Sequence, residues 1–91
     1  MTSLDASAKT ITITLKLFAV YQETVGEAEQ VLTLPVGTTV GEVYGCLISQ
    51  HPRLAQWKEV TRFGINLQFV EADTVLKEND ELVFIPPVSG G

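Results

Sequence analysis

The sequence predicts an α+β domain in which one main helix lies across one face of a mixed sheet of four to five strands. Three observations support this fold class: strictly alternating apolar residues near the N-terminus, a helical apolar stripe in the middle, and an all-apolar segment near the end. With 91 residues, 45% of them apolar, the chain has room for one core and one domain. The predicted element order is β-β-α-β-β-β. Because crossover connections are right-handed, the helix should cover one face of the sheet and leave the other open.

The first two strands are predicted to form a hairpin. Thr10–Phe18 alternates apolar and polar residues, and its apolar set is Ile11, Ile13, Leu15 and Leu17. Phe18 breaks the alternation, because it places a large apolar side chain on the polar face. A short helical segment, Ala19–Val25, and a turn at Gly26 then lead to a second strand at Gln30–Leu34.

The main helix is predicted from its capping signal and its periodicity. Thr39 and Glu42 have the spacing of a capping box. The apolar residues that follow recur at helical spacing and form one stripe: Val40, Val43, Tyr44, Leu47 and Ile48. His51 and Pro52 end the helix, since the residue before a proline avoids helical backbone.

The C-terminal half is predicted to complete the sheet. Residues 53–60 are expected to form a loop or irregular turn whose Trp57 covers one end of the core. Phe63–Val70 is interpreted as a strand, a tight turn at Asn66 and another strand. After a turn at residues 79–80 the last strand is Glu81–Ile85, in the centre of the sheet. We expect its inward side chains to be Leu82 and Phe84 and its outward side chains to be Val83 and Ile85; the reverse assignment remains open from the sequence alone.

Composition restricts the classes of partner and the location. Six Lys and Arg face eleven Asp and Glu, so the formal net charge is −5. Nucleic-acid binding needs clustered basic residues, and these six are scattered, so a basic protein is the better partner. The single Cys46 excludes an internal disulfide and fits a reducing compartment. No apolar run approaches the ~20 residues of a membrane span. We therefore expect a cytoplasmic protein that binds neither nucleic acid nor membrane.

The sequence contains no convincing catalytic or metal-binding set. Cys46 and His51 each lack a partner at a suitable spacing, so structural roles are expected for both. The acidic residues near the end lack the spacing of a calcium loop, and we interpret them as solvated turns; they are Glu71, Asp73, Glu78, Asp80 and Glu81. A domain this small also has little room for a deep cleft. Carrying or binding is therefore favoured over self-contained catalysis.

The last six residues, Pro86-Pro87-Val88-Ser89-Gly90-Gly91, have an unusual design. Proline lacks an N–H and ends the sheet ladder, whereas glycine lets a backbone enter a slot too narrow for other residues. Gly90 and Gly91 thus suit the delivery of a carboxylate into another protein's active site; a frayed terminus is the alternative. We expect a flexible lead-in at residues 1–9, a folded domain at 10–87 and a flexible tail at 88–91.

A docking patch is predicted where this tail leaves the domain. Phe18, Val83 and Ile85 should lie together on the open face of the sheet. Such a patch is interpreted as a docking site, because soluble monomers seldom expose contiguous apolar area without a reason. Ordinary surface hydrophobicity is the alternative. The predicted partner-binding residues are Phe18, Val83, Ile85, Pro86, Pro87, Val88 and Ser89.

Several segments resemble the small subunits of molybdopterin synthase: Leu17-Phe18-Ala19, Val25-Gly26, Gly37-Thr38-Thr39-Val40 and the whole run from Asn79 to Gly91. The resemblance implies a β-grasp, ubiquitin-like fold. It also implies that Gly91 is the acyl group of a sulfur carrier, adenylated by an ATP-dependent, E1-like activating enzyme and converted to a thiocarboxylate by a sulfur donor. The sulfur would pass to a pterin precursor in molybdenum cofactor biosynthesis.

The same resemblance implies that the chain is not an enzyme by itself. Its catalytic residues would belong to the large subunit, with which it would form a heterotetramer, and it would bind no cofactor, since ATP is used by the activating enzyme. Three alternatives remain open: a thiamine-pathway sulfur carrier, a ubiquitin-like protein modifier, and an interaction module with an inert tail.

Overall fold

Five strands and three helices make up the part of the chain that the computed structural model describes, residues 9–87. The strands are β1 Thr10–Leu17, β2 Glu29–Pro35, β3 Arg62–Ile65, β4 Gln68–Val70 and β5 Glu81–Ile85. The helices are α1 Ala19–Val25, α2 Val40–Gln50 and a 3₁₀ helix, Pro52–Val60. The sheet order is β2-β1-β5-β3-β4. Only the pairing of β1 with β5 is parallel, so the predicted mixed sheet is confirmed.

The hairpin of β1 and β2 follows the predicted alternation. The inward residues of β1 are buried, and they are Ile11, Ile13, Leu15 and Leu17. The outward polar residues are half-buried or exposed. β5 lies in the middle of the sheet, between β1 and β3, which confirms the predicted central strand. Alternation on β1 thus fixes which face of the whole sheet is inside.

The capping box and the apolar stripe of α2 are confirmed. The Glu42 N–H donates to Thr39 Oγ1 over 3.2 Å, and the Thr39 N–H donates to Glu42 Oε1 over 2.9 Å. Most of the stripe is buried against the sheet, namely Val40, Val43, Tyr44 and Leu47, while Ile48 packs at its margin. α2 therefore covers one face, as its periodicity predicts.

The prediction of an irregular loop at residues 53–60 is wrong, because this segment is a 3₁₀ helix. Pro52 occupies its first turn, where a missing N–H costs nothing. Three residues per turn place Leu54 and Trp57 on one side. Leu54 is fully buried and Trp57 packs against the core, so the role predicted for the tryptophan is confirmed.

An aromatic cluster fills the core beneath β5. The Phe84 ring makes edge-to-face contacts with three other rings at centroid distances of 5.0–6.0 Å; these belong to Tyr21, Tyr44 and Phe63. The Tyr21 hydroxyl hydrogen-bonds the Tyr44 hydroxyl over 2.6 Å and also contacts Thr61 Oγ1. Burial raises the pKa of Tyr21, so the phenol remains protonated. The strand that leads to the tail therefore rests on a densely packed support.

Gly41 allows α2 to meet the loop that precedes β5. Its N–H donates to the Ala72 carbonyl oxygen over 2.7 Å. A Cβ on residue 41 would lie 3.1 Å from that oxygen and 3.3 Å from Ala72 Cβ. Glycine is favoured here, because any larger residue would require Ala72 to move by a few tenths of an ångström.

Candidate functional site

The sheet has one face covered by the helices and one open face, and β5 presents alternate residues to each. Leu82 and Phe84 are fully buried, whereas Val83 and Ile85 are partly exposed. The predicted inner and outer faces of the last strand are therefore confirmed. On the open face, the parallel register sets Val83 beside Lys16 of β1.

The structure brings the predicted docking residues together in one shallow groove of about 720 Å³ on the open face. It is lined by five of them: Phe18, Val83, Ile85, Pro86 and Pro87. Their assignment to partner binding remains a prediction. The other four residues of the predicted site, Val88, Ser89, Gly90 and Gly91, lie outside the described residues, as does most of the predicted lead-in.

Phe18 reaches this groove because the chain leaves β1 at that point. β1 ends at Leu17, one residue earlier than predicted, and Phe18 precedes α1 in extended backbone conformation. Its carbonyl oxygen accepts a hydrogen bond from the Tyr21 N–H over 3.0 Å. The Phe18 side chain stays 49% exposed. The position of Phe18 is thus fixed by the hydrogen bond of its backbone carbonyl rather than by burial of its ring.

Among the groove residues that were not predicted from the sequence are Gly64 on β3, Leu67 in the turn that follows it and Phe69 on β4. Gly64 pairs with Val83 on one side and with Phe69 on the other, so its missing side chain leaves a depression between them. Phe69 is 70% exposed, and the Arg62 guanidinium lies 5.9 Å from its ring centroid. Leu67, at the tip of the β3–β4 hairpin, also lines the groove. No local pattern marks these residues, because strand pairing brings them beside β5.

Charged groups stand at the side of the groove. Lys16 Nζ lies 3.2 Å from Glu81 Oε2, and both side chains are more than one third exposed. A solvated pair of this kind contributes little stability, about 0–1 kcal/mol. The pair places a positive and a negative group beside apolar surface, an arrangement that suits a partner with a complementary polar rim.

The interpretation of the acidic residues as solvated turns is wrong for Asp80. This carboxylate is buried and accepts hydrogen bonds from the Lys77 N–H over 2.8 Å and from Asn66 Nδ2 over 3.0 Å. The two bonds close the turn before β5 and join it to the β3–β4 hairpin. Asp80 is therefore a structural residue, since a short carboxylate can satisfy a turn's own backbone donors.

The residues without a predicted chemical role are placed as follows. Cys46 is exposed on α2 rather than packed in the core, so a structural role for its side chain is not supported. His51 ends α2, and its N–H donates to the Leu47 carbonyl oxygen over 2.9 Å. Among residues 9–87, no cluster of His, Cys, Asp and Glu could hold a metal ion. In the same range, no helix is long and apolar enough to cross a membrane.

The sheet order, the crossing helix and the open groove define a ubiquitin-like protein of the β-grasp fold. SAMP1 of Haloferax volcanii superposes with a TM-score of 0.72 at 27% identity, covering 88% of this chain and 99% of that one. A chain in the complex of subunits 1 and 2 of the molybdopterin-converting factor of Helicobacter pylori shares the fold. That match has a TM-score of 0.59 at 20% identity, over 89% of this chain and 100% of the other.

The ThiS family matches residues 15–91. The molybdopterin synthase sulfur carrier subunit of Chlamydomonas reinhardtii is 33% identical over 81% of this chain and 92% of its own length. The corresponding subunit of Dictyostelium discoideum is 32% identical over 82% of this chain and 91% of its own. The chain therefore belongs to the ThiS family and, within it, to the molybdopterin synthase sulfur carrier subunits.

Proposed function

We propose that this chain is the small subunit of molybdopterin synthase and carries sulfur on its C-terminal residue, Gly91. The observation that supports this most directly is the family match, which extends to Gly91 itself. The relatives that share about one third of the sequence over most of their length are sulfur carrier subunits of that enzyme.

The proposed chemistry needs only an acyl carbon from this chain. A carboxylate is a poor acceptor until its oxygen becomes a good leaving group. The Gly91 carboxylate would attack the α-phosphate of ATP on the activating enzyme, releasing pyrophosphate and forming an acyl adenylate. Sulfide-level sulfur (HS⁻) released by the donor would then attack the acyl carbon, displace AMP and leave a thiocarboxylate, with no change of oxidation state. Transfer of this sulfur to the pterin precursor returns the carboxylate, whose oxygen comes from water.

This division of labour agrees with the titratable groups of the described domain. Asp80 is used in a turn, and the buried Tyr21 phenol is held protonated within the core. Neither faces the groove, and the two ionisable residues that line it, Lys16 and Glu81, form a partly exposed ion pair with each other. We therefore assign the catalytic acids, bases and phosphate contacts to the partners, and no cofactor to this chain.

The open face is the proposed docking surface for the large subunit. The groove holds two exposed aromatic residues, Phe18 and Phe69, and the two prolines at the root of the tail. Exposed aromatic rings in a concave apolar patch are typical anchors of protein interfaces. A relative of this fold forms a complex with its second subunit. Heterotetramer assembly, use of an E1-like activating enzyme and a cytoplasmic location are parts of the same proposal.

Intact mass spectrometry tests the proposal. The full chain is incubated with the activating enzyme, ATP and a sulfur donor, with omission of ATP as the control. We expect the chain mass to change by replacement of one oxygen with one sulfur, only when ATP is present. An unchanged mass in an assay that converts a known carrier would refute the proposal.

A protein modifier is the second candidate, because SAMP1, a small archaeal modifier protein, shares 27% of the sequence and nearly the whole fold. In that case Gly91 would form isopeptide bonds with target lysines, and the incubation would yield conjugates of high mass. A thiamine-pathway carrier would gain the same thiocarboxylate. Sulfur transfer to the pterin precursor in the presence of the large subunit separates it from the proposed function.

A further inference from the structure

Leu67 has a backbone conformation that does not suit leucine. It is the second central residue of the two-residue turn joining β3 and β4, and the φ angles of Asn66 and Leu67 are 50° and 73°. Turns with two left-handed residues favour Asn followed by Gly. A leucine with positive φ is strained, because its Cβ crowds the following carbonyl oxygen. The turn thus contains the preferred asparagine and a disfavoured leucine.

The hydrogen bonds of Asn66 stabilise the turn, whereas burial of the Leu67 side chain does not. The Asn66 N–H donates to the Glu81 carbonyl oxygen, Asn66 Nδ2 donates to Asp80 Oδ1, and Asn66 Oδ1 accepts from the Glu81 N–H. All three distances are 3.0 Å. The Leu67 side chain is 94% exposed, so it does not contribute to the core. Backbone strain at a residue whose side chain is not buried in the core is a feature of functional positions.

Leu67 lies at the end of the groove opposite to the two prolines. Asn66 is bonded to Glu81, the first residue of β5, whereas the two prolines that lead to the tail follow Ile85, the last residue of that strand. Leu67 and the two prolines line the same groove from opposite ends. Five residues of strand separate these ends by about 13 Å. A partner that takes the tail must cover the groove at the proline end, and a standard interface of about 800 Å² per partner extends well beyond 13 Å.

We propose that Leu67 is a recognition residue that inserts into an apolar recess of the large synthase subunit. Contact at Leu67 and at the tail root, at the two ends of β5, fixes the orientation in which the carrier presents its terminus. The proposal rests on the proposed function and adds a specificity-determining residue to it. The three hydrogen bonds of Asn66 fix the backbone of the turn that carries Leu67, which lowers the ordering cost of binding.

The test is titration calorimetry of the full chain against the purified large subunit, with thermal unfolding of the free variants. Leu67→Asn and Leu67→Gly remove the apolar side chain and place residues that tolerate positive φ. We expect the affinity to fall at least about fivefold, while the unfolding midpoint stays equal or rises. Leu67→Met should keep the affinity within about twofold, since a large apolar side chain is retained.

Val31 provides a matched control. It is 69% exposed on the same face of the sheet, but on β2 and outside the groove. Val31→Thr should leave both affinity and stability unchanged. Unchanged affinity of Leu67→Asn would overturn the inference, and so would a loss of affinity together with a loss of stability, because Leu67 would then be a structural residue. If the wild-type chain bound no large subunit and gained no sulfur, the proposed function itself would be wrong.

Discussion

The two faces of the sheet differ in how far their large apolar side chains are exposed to solvent. On the face covered by the helices, Ile13 and Leu15 are each 1% exposed and Phe84 is fully buried. On the open face, Phe18, Phe69 and Leu67 are 49%, 70% and 94% exposed. The first set stabilises the fold, because it removes apolar surface from water. The second set remains in water in the free domain, as expected if the proposed partner covers it.

The sharpest test of this comparison uses neighbouring residues of one strand. Phe84→Ala should destabilise the domain by about 3–5 kcal/mol, because the ring is the centre of the aromatic cluster and leaves a cavity. Val83→Ala, on the open face, should cost less than about 1 kcal/mol. Urea unfolding of both variants measures the two values. Equal losses would show that the two faces do not differ as described.

Charge on the open face should affect binding rather than folding. Phe18→Asp and Ile85→Asp would place a carboxylate in an apolar interface, while in the free domain it would be solvated. We expect affinity for the large subunit to fall about 100-fold, equivalent to about 2.7 kcal/mol, with little change in the thermal midpoint. Calorimetric titration and thermal unfolding check the two parts. Loss of the folded state in the Phe18 variant would mean that its ring supports the core.

Asp80 should matter for stability although it faces neither the partner nor the aromatic cluster. Asp80→Ala leaves the Lys77 N–H and Asn66 Nδ2 without their acceptor, and we expect a loss of about 1–3 kcal/mol. The exposed carboxylate of Asp73 offers a control, since Asp73→Ala should be nearly neutral. Urea unfolding at pH 7 measures both. An unchanged unfolding midpoint for Asp80→Ala would show that the Asp80 carboxylate does not stabilise the fold, as expected for a solvated turn residue.

The covered face could be predicted from the sequence because it is built from regular periods. Alternation on β1 and the helical stripe of α2 each identify an inner face without tertiary information. The 3₁₀ helix was missed because it lacks the 3.6-residue period; the three-residue spacing of Leu54 and Trp57 was the available signal. Asp80 was misjudged because a buried carboxylate and a solvated one look alike in sequence.

The open face was predictable only in part. Phe18 was found because it breaks an alternation, and Val83 and Ile85 because they alternate with inward residues. Gly64, Leu67 and Phe69 lie on two other segments, and only the register of β3 with β5 and β4 brings them to the groove. The positive φ of Leu67 cannot be read from its residue type, since leucine favours other regions. Features set by tertiary pairing therefore require the structure.

The central claim of the proposed function is that the open face selects the partner and that Gly91 carries the sulfur. The most direct measurement is pterin sulfuration by the reconstituted synthase with the chain lacking Gly91, beside circular dichroism of the same variant. We predict no sulfur transfer together with a dichroism spectrum and a thermal midpoint equal to those of the full chain. Sulfuration at the normal rate by the chain lacking Gly91 would contradict the account.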